Sequence, residues 1–448
     1  MKKIFLHIFY ILFLLLAQAG FCATEDVMTT NQLAKFIKTQ WVYNPEGATD
    51  SARKPWQLLL VMNSPVDIKW GAVDDNRKAI EEQIKKGIIK RAAILYARED
   101  GTVYLTFFPA KKQMAVKAFN PSDTPEYDYV KVDTSSMSES GLFTHLFRSF
   151  NNEDYYTALV LDMHGSGSDM QSYFIKGEHN IQPSLFINAM NKSGITVDLL
   201  DWNSCFMGTI GNVYNLFSNS KVKYATVSSN EGVAQQTGVS DGPNAGKQGV
   251  DNSVYGSFGA HPIIELLNGT PKQVATMLVK NKGAIIDNEF THNLMAVDGD
   301  YFRLNVVPLI KNWAVSVKDS GVKLALKESY DGFPHVWFSE YLRKVAQSPK
   351  ATENLTKYSY DLIKSTNKSI FSYGCWDKAA GVAYTTLSSV KNNGECIGGF
   401  SVDKVSLDKI TFSKPMERNA PQINLNNKNF KKDLTNLKNT YKGNLSML

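Results

Sequence analysis

The 448-residue sequence predicts an α/β protein with a mostly parallel central sheet, and three features point there. Short, near-continuous apolar runs recur at residues 56–62 (WQLLLVM), 92–97 (AAILYA) and 156–161 (YTALVL), the pattern of strands buried on both faces. Stretches of helical period stand between them, as at 74–86, where Ile80 and Ile84 share a face, and at 141–150, where Leu142, Leu146 and Phe150 do. Strands alternating with helices imply βαβ units, hence parallel strands joined by right-handed crossovers.

The elements follow in order. Lys2 and Lys3 precede an apolar run over 4–16, and Ala17-Gln18-Ala19 follows. This is the layout of a secretory signal peptide and is short for a membrane span. Residues 1–23 are read as that signal, with cleavage after Ala19 or Ala23. Cys22 raises lipidation, against which Phe21 stands where a small residue belongs. The reading is a secreted or periplasmic bacterial protein with no stable membrane insertion once the signal is gone. A polar lead-in covers 24–54, and the α/β core is assigned to 55–290. Within it, 103–108 alternates as a hairpin or edge strand. A helix at 183–192 leads to a strand around 197–200, a second helix starts after Cys205, and a short strand covers 224–227. Residues 230–259, rich in Gly, Ser and Gln without periodicity, read as a functional loop. Residues 291–412 are read as a helix-rich part with a late strand at 382–386, and 413–448 as a basic Asn/Lys-rich tail.

Charge narrows the partners. The net charge is +6, but residues 401–448 hold nine Lys and Arg against four Asp and Glu. The rest of the chain is nearly neutral, so the excess reads as a solvated tail and no nucleic-acid partner is expected. Of the four cysteines, Cys22 belongs to the signal region. Cys375 and Cys396 are the natural disulfide of an oxidising compartment, stabilising by about 3 kcal/mol through loop closure. Cys205 is left outside that pair, either a buried inert thiol or a used one.

Two consecutive strands end in reactive residues, the first in Asp162-Met163-His164-Gly165-Ser166-Gly167 and the second in Asp201-Trp202-Asn203-Ser204-Cys205-Phe206-Met207-Gly208. Ligands of parallel sheets bind beyond the carboxyl ends of the strands. A helical crossover between the two strands would set them side by side or one apart, bringing His164 near Cys205. A cysteine thiolate is a strong nucleophile and histidine its usual proton partner. Gly165 admits close backbone approach, and its N–H with that of Cys205 could face an oxyanion. A helix starting just after Cys205 would favour the thiolate through its dipole.

The segments DMHGSG and LLDWNSCFMG, each after an apolar strand, resemble the clostripain family of cysteine peptidases. The likeness extends from Trp56 through MSESG at 137–141 to MAVD at 295–298. It implies a caspase-like α/β/α sandwich, cysteine endopeptidase activity on protein or peptide substrates, and catalytic roles for His164 and Cys205. It also implies cleavage after basic residues, self-processing, for which Lys176 is the candidate site, and a calcium dependence that no Asp-rich loop here supports. No cofactor is otherwise expected. One departure matters. Asn203 stands where the family carries an acid that helps line the pocket for a basic P1 residue. Asp201, deeper on the same strand face, or Glu231 or Asp241 in the long loop, could supply the charge instead.

Two other readings stay open. A catalytically inactive binding protein could keep the same fold. A serine esterase could use the GVSDG segment at 238–242 with His261, His292 or His335, although Ala234-Gln235-Gln236-Thr237 before it makes a poor strand and Pro243-Asn244-Ala245-Gly246 after it a poor helix start. The remaining histidines show no pair at metal-ligand spacing on a helix.

Overall fold

Runs of apolar residues that alternate between two packed faces build one sheet. The computed structural model describes residues 27–29, 54–63, 70–97, 101, 103–108, 130–131, 138–175, 177–230, 261–282, 291–323, 326, 336–390, 395–403 and 407. Its strands, in chain order, are β1 (Val27–Thr29), β2 (Trp56–Asn63), β3 (Ile89–Ala97), β4 (Val103–Phe108), β5 (Val130–Lys131), β6 (Tyr156–Asp162), β7 (Met170–Ser172), β8 (His179–Ile181), β9 (Thr196–Asn203) and β10 (Lys221–Val227). After these come β11 (His292–Asp298), β12 (Val336–Trp337), β13 (Ile370–Asp377), β14 (Val382–Tyr384) and β15 (Ser401–Val402).

Eleven of them form a single sheet in the order β1-β14-β13-β11-β10-β9-β6-β2-β3-β4-β5. The five central strands, β10, β9, β6, β2 and β3, are parallel. Antiparallel strands extend it on both sides, β4 and β5 beyond β3, and β11, β13, β14 and β1 beyond β10. The segment at 103–108 is thus the antiparallel strand its alternation suggested.

Helices cover both faces. On one lie α1 (Trp70–Lys85), α5 (Ile263–Leu266) and α6 (Pro271–Lys282). Leu58, Leu60, Met62 and Leu199 from the strands pack there with Ile80, Ile263 and Leu278. On the other lie α2 (Glu139–Ser149), α3 (Ser184–Ser193) and α4 (Ile210–Asn219), over Leu59, Val61, Leu159, Leu200 and Trp202. Alternate residues of β2 therefore enter different cores, and each fully buried Leu or Val stabilises the fold by about 1.5–3 kcal/mol. α2 is capped by Ser138, whose hydroxyl accepts from the Gly141 N–H at 3.1 Å. The result is an α/β/α sandwich with a parallel centre.

The later part of the chain differs from its sequence reading. Residues 292–298 and 370–377 are full strands of the main sheet. The first reads HNLMAVD, where a run of only four apolar residues, Leu294 to Val297, follows the wholly buried His292 and Asn293, and the second carries Ser, Gly and Cys, so neither matches the longer near-continuous runs of β2 and β6. Helices α7 (Val307–Ser320), α8 (Phe338–Ala346) and α9 (Glu353–Ser369) account for the helix-rich stretch between them. The late strand is present as β14. No helix among the described residues is long and apolar enough to cross a membrane.

Candidate active site

β6 and β9 are immediate neighbours, in register from Ala158 opposite Leu199 to Asp162 opposite Asn203. The last pair is separated by 41 positions in the chain. His164 and Cys205 have that same separation, so each stands two residues past the end of its strand, at the same height on the carboxyl edge of the sheet. Of the two arrangements a crossover allowed, the adjacent one is realised.

The two segments touch directly. A Cβ placed on Gly165 would fall 2.5 Å from the Cys205 carbonyl oxygen and 2.8 Å from the Met207 methyl carbon. Only glycine fits there, because the opposing backbone cannot retreat as a flexible side chain could. Gly165 also bridges to Met170, and the His164 carbonyl accepts from the Gln171 N–H at 3.1 Å. Asn212 of α4 donates to the Gly167 carbonyl at 2.6 Å and ties the histidine loop to that helix.

Cys205 lies in a tight turn. The Ser204 N–H donates to the Trp202 carbonyl at 2.9 Å, Phe206 takes a positive φ of 59°, and its N–H donates to the Asn230 carbonyl at 2.9 Å. The Gly208 N–H donates to the Ser228 carbonyl at 2.5 Å. A left-handed phenylalanine is an uncommon and costly conformation, and it bends the chain sharply after the cysteine. The expected helix consequently starts at Ile210, with Thr209 as its cap, and not next to Cys205. Helix-dipole support for a thiolate fades beyond the first turn, so that expectation is corrected.

Cys205 is only 6% exposed and takes no part in a disulfide. Cys375 and Cys396 are bonded to each other, as their spacing suggested. His164 is half-buried, and loss of solvation pushes its pKa down from 6.5 to about 4.

Beneath this edge lies a buried polar cluster that sequence reasoning only partly found. Asn203 donates from Nδ2 to Asp162 Oδ1 at 2.8 Å and accepts at Oδ1 from Lys282 Nζ at 3.1 Å. Asp201, fully buried, accepts from Thr226 Oγ1 at 2.5 Å and faces His261 Nε2 at 3.3 Å. His261 Nδ1 accepts from the Ile263 N–H at 3.3 Å, and the His261 N–H donates to Asn76 Oδ1 at 2.7 Å. Desolvation raises the pKa of Asp162 above the usual carboxylate value, with His261 and Lys282 opposing. Desolvation would raise Asp201 too, but contact with His261, the Lys282 charge and the Thr226 hydroxyl outweigh it and hold it low. The carboxylate of Asp201 and the amide of Asn203 are thus committed inside the protein.

Asp162 closes an apolar strand, a position that could have marked it, and His261 drew notice only as a partner for the serine reading. Nothing local marks Lys282, which reaches the cluster from the end of α6. Lys176, Glu231, Asp241 and the GVSDG segment lie outside the described residues. Among the described residues no three His, Cys, Asp or Glu side chains converge as ligands for a cation.

Fold and site together define an α/β/α sandwich whose adjacent parallel strands deliver a histidine and a cysteine to one edge. No family model matches the chain, and no curated protein does. Among solved structures, the chain is similar to a secreted C11 cysteine protease from Bacteroides thetaiotaomicron, 11% identical over 80% of this chain and 96% of that one, with a TM-score of 0.48. It is similar to an inactive zymogen C11 protease from Parabacteroides distasonis, 13% identical over 81% and 96%, TM-score 0.42. It is also similar to a clostripain from Bacteroides thetaiotaomicron in complex with a peptide inhibitor, 12% identical over 50% and 85%, TM-score 0.31. Identities this low transfer no residue roles.

Proposed function

We propose that the chain is a cysteine endopeptidase in which Cys205 is the nucleophile and His164 its proton partner. One observation carries this reading: the β6–β9 register that sets the two residues level on adjacent parallel strands. With His164 held down to about 4, the imidazole is neutral at physiological pH and able to accept a proton. Cys205 Sγ attacks the scissile carbonyl while its proton passes to His164. The backbone N–H groups of Gly165 and Cys205 receive the oxyanion, and His164 returns the proton to the leaving amine. Water, deprotonated by His164, then attacks the thioester and releases the acid and the free enzyme.

Protein or peptide substrates follow from this chemistry, and the buried disulfide with the N-terminal apolar segment supports action outside the cytosol. A basic P1 preference would have to draw on Glu231 or Asp241, because Asp201 and Asn203 are engaged internally. Incubating the mature protein with a proteome-derived peptide mixture, and reading the cut sites by mass spectrometry, tests both levels. Cleavage by wild type but not by Cys205→Ala is the expected result. Equal turnover by the two, or none by either, would overturn the proposal.

A further inference from the structure

The nucleophile turn is braced from the far end of the chain. Phe206, next to Cys205, donates its N–H to the carbonyl of Asn230, just past β10. Asn230 is 4% exposed and uses every polar group it has. Its N–H donates to Asn293 Oδ1 at 3.0 Å, its Nδ2 donates to the Glu395 carbonyl at 3.2 Å, and its Oδ1 accepts from the Ile397 N–H at 3.1 Å. Asn293, wholly buried, also accepts from the Ser229 N–H at 2.8 Å and from Ser228 Oγ at 3.0 Å, and it donates to the Ile397 carbonyl at 3.1 Å. Between Glu395 and Ile397 stands Cys396, bonded to Cys375 on β13. Tyr373 of β13 donates its hydroxyl to the Ile397 carbonyl at 2.7 Å, and Asp377 accepts from the Glu395 N–H at 3.0 Å.

We infer that Asn230 is a positioning residue for Cys205, held in place by the segment that the Cys375–Cys396 disulfide pins to the sheet. The three peptide groups around Cys396 form no strand of their own. They keep their places through this covalent tie and through side chains of β11 and β13. Asn230 reads their position with both ends of its amide and passes it to Phe206 through one backbone hydrogen bond. The turn at Phe206 has a positive φ, a conformation that persists only where its surroundings enforce it. Both bridged cysteines are completely buried, so a thiol reductant that keeps Cys205 reduced leaves the brace intact.

The inference concerns the geometry of Cys205 and deepens the peptidase reading, but one arm of its test stands apart from that reading. In full-length oxidised protein, the rate of Cys205 alkylation by iodoacetamide reports the turn with no substrate present. Asn230→Ala and the double variant Cys375→Ala/Cys396→Ala should each raise that rate at least about fivefold, as the shielded thiol swings outward. Each should also lower kcat about tenfold or more with KM within about twofold, since a small misplacement of a reacting group costs turnover more than binding. Near-UV circular dichroism must match wild type for these values to count. If the alanine variants do not fold, Asn230→Asp decides, because it keeps the acceptor for Ile397 and loses the donor to Glu395; an intermediate change is expected. Folded variants whose alkylation and kcat equal wild type would overturn the inference. A wild type that cleaves no peptide would sink the proposed function and leave the alkylation arm readable.

Discussion

Asn203 and Asp162 face each other across two parallel strands, and the Asn203 amide donates to the Asp162 carboxylate at 2.8 Å. The bond joins the last residues of the strands that carry His164 and Cys205. Replacing Asn203 by Ala leaves a buried carboxyl without its donor and Lys282 without its acceptor. A loss of about 1–3 kcal/mol is expected, read as a lower urea midpoint with an unchanged m-value. An unshifted midpoint would mean that water has taken over both contacts.

Lys282 supplies positive charge to two buried carboxylates, Asp162 and Asp201. Breaking a buried charge set from one side costs about 3–5 kcal/mol, so Lys282→Met should be among the most destabilising single changes in the protein at neutral pH. The deficit should shrink in acid. Burial already raises the pKa of Asp162, and removing the lysine raises it further, so the native state binds a proton that the unfolded chain does not, and stability recovers as pH falls through that window. A deficit that stayed constant with pH would speak against the charge pairing.

Gly165→Ala should damage turnover through contact alone. The added methyl would lie 2.5 Å from the Cys205 carbonyl oxygen, and backbone must move to admit it. Overpacking of this kind costs about 1–3 kcal/mol. The expected outcome is a folded protein with kcat down by about tenfold or more. Wild-type kcat in that variant would place the two segments further apart than described.

His164 gives a pH signature. Burial lowers its pKa from 6.5 to about 4, so between these values the unfolded chain takes a proton that the native state refuses. The stability linked to this group is therefore complete above pH 6.5 and is lost as pH falls toward 4. His164→Gln should lose less stability than wild type over that range in parallel urea titrations. Cleavage by wild type should hold down to the same low region before the base is protonated. Identical acid losses in the two proteins would show that His164 is solvated.

Much of the centre of the fold was legible because parallel strands buried on both faces announce themselves as apolar runs. β2, β3 and β6 read that way, and the succession of β6 and β9 along the chain already brings His164 toward Cys205. β11 escaped because it opens on the buried polar pair His292 and Asn293, and the partners of Asn293, on residues 228–230 and 397, are tertiary contacts that no local pattern encodes. Asp201 was expected deep on the strand, and it is. That Asn203 would be taken up by Lys282, 79 residues away, could not be read from either neighbourhood. The start of α4 was misjudged for a related reason: Phe206 adopts a positive φ that its residue type disfavours and the surrounding hydrogen bonds impose.

The brace on Asn230 has a consequence in time. Its partners, Asn293, Glu395 and Ile397, all follow it in the chain, and the last two lie more than 160 residues downstream. Synthesis runs from the N-terminus, so β6 and β9 can pair while those partners have yet to be made. A chain released early would carry His164 and Cys205 without the clamp that orders the turn at Phe206. Order of manufacture thus makes the nucleophile turn mature late, and a truncated product would hold the reactive residues in an unfinished setting.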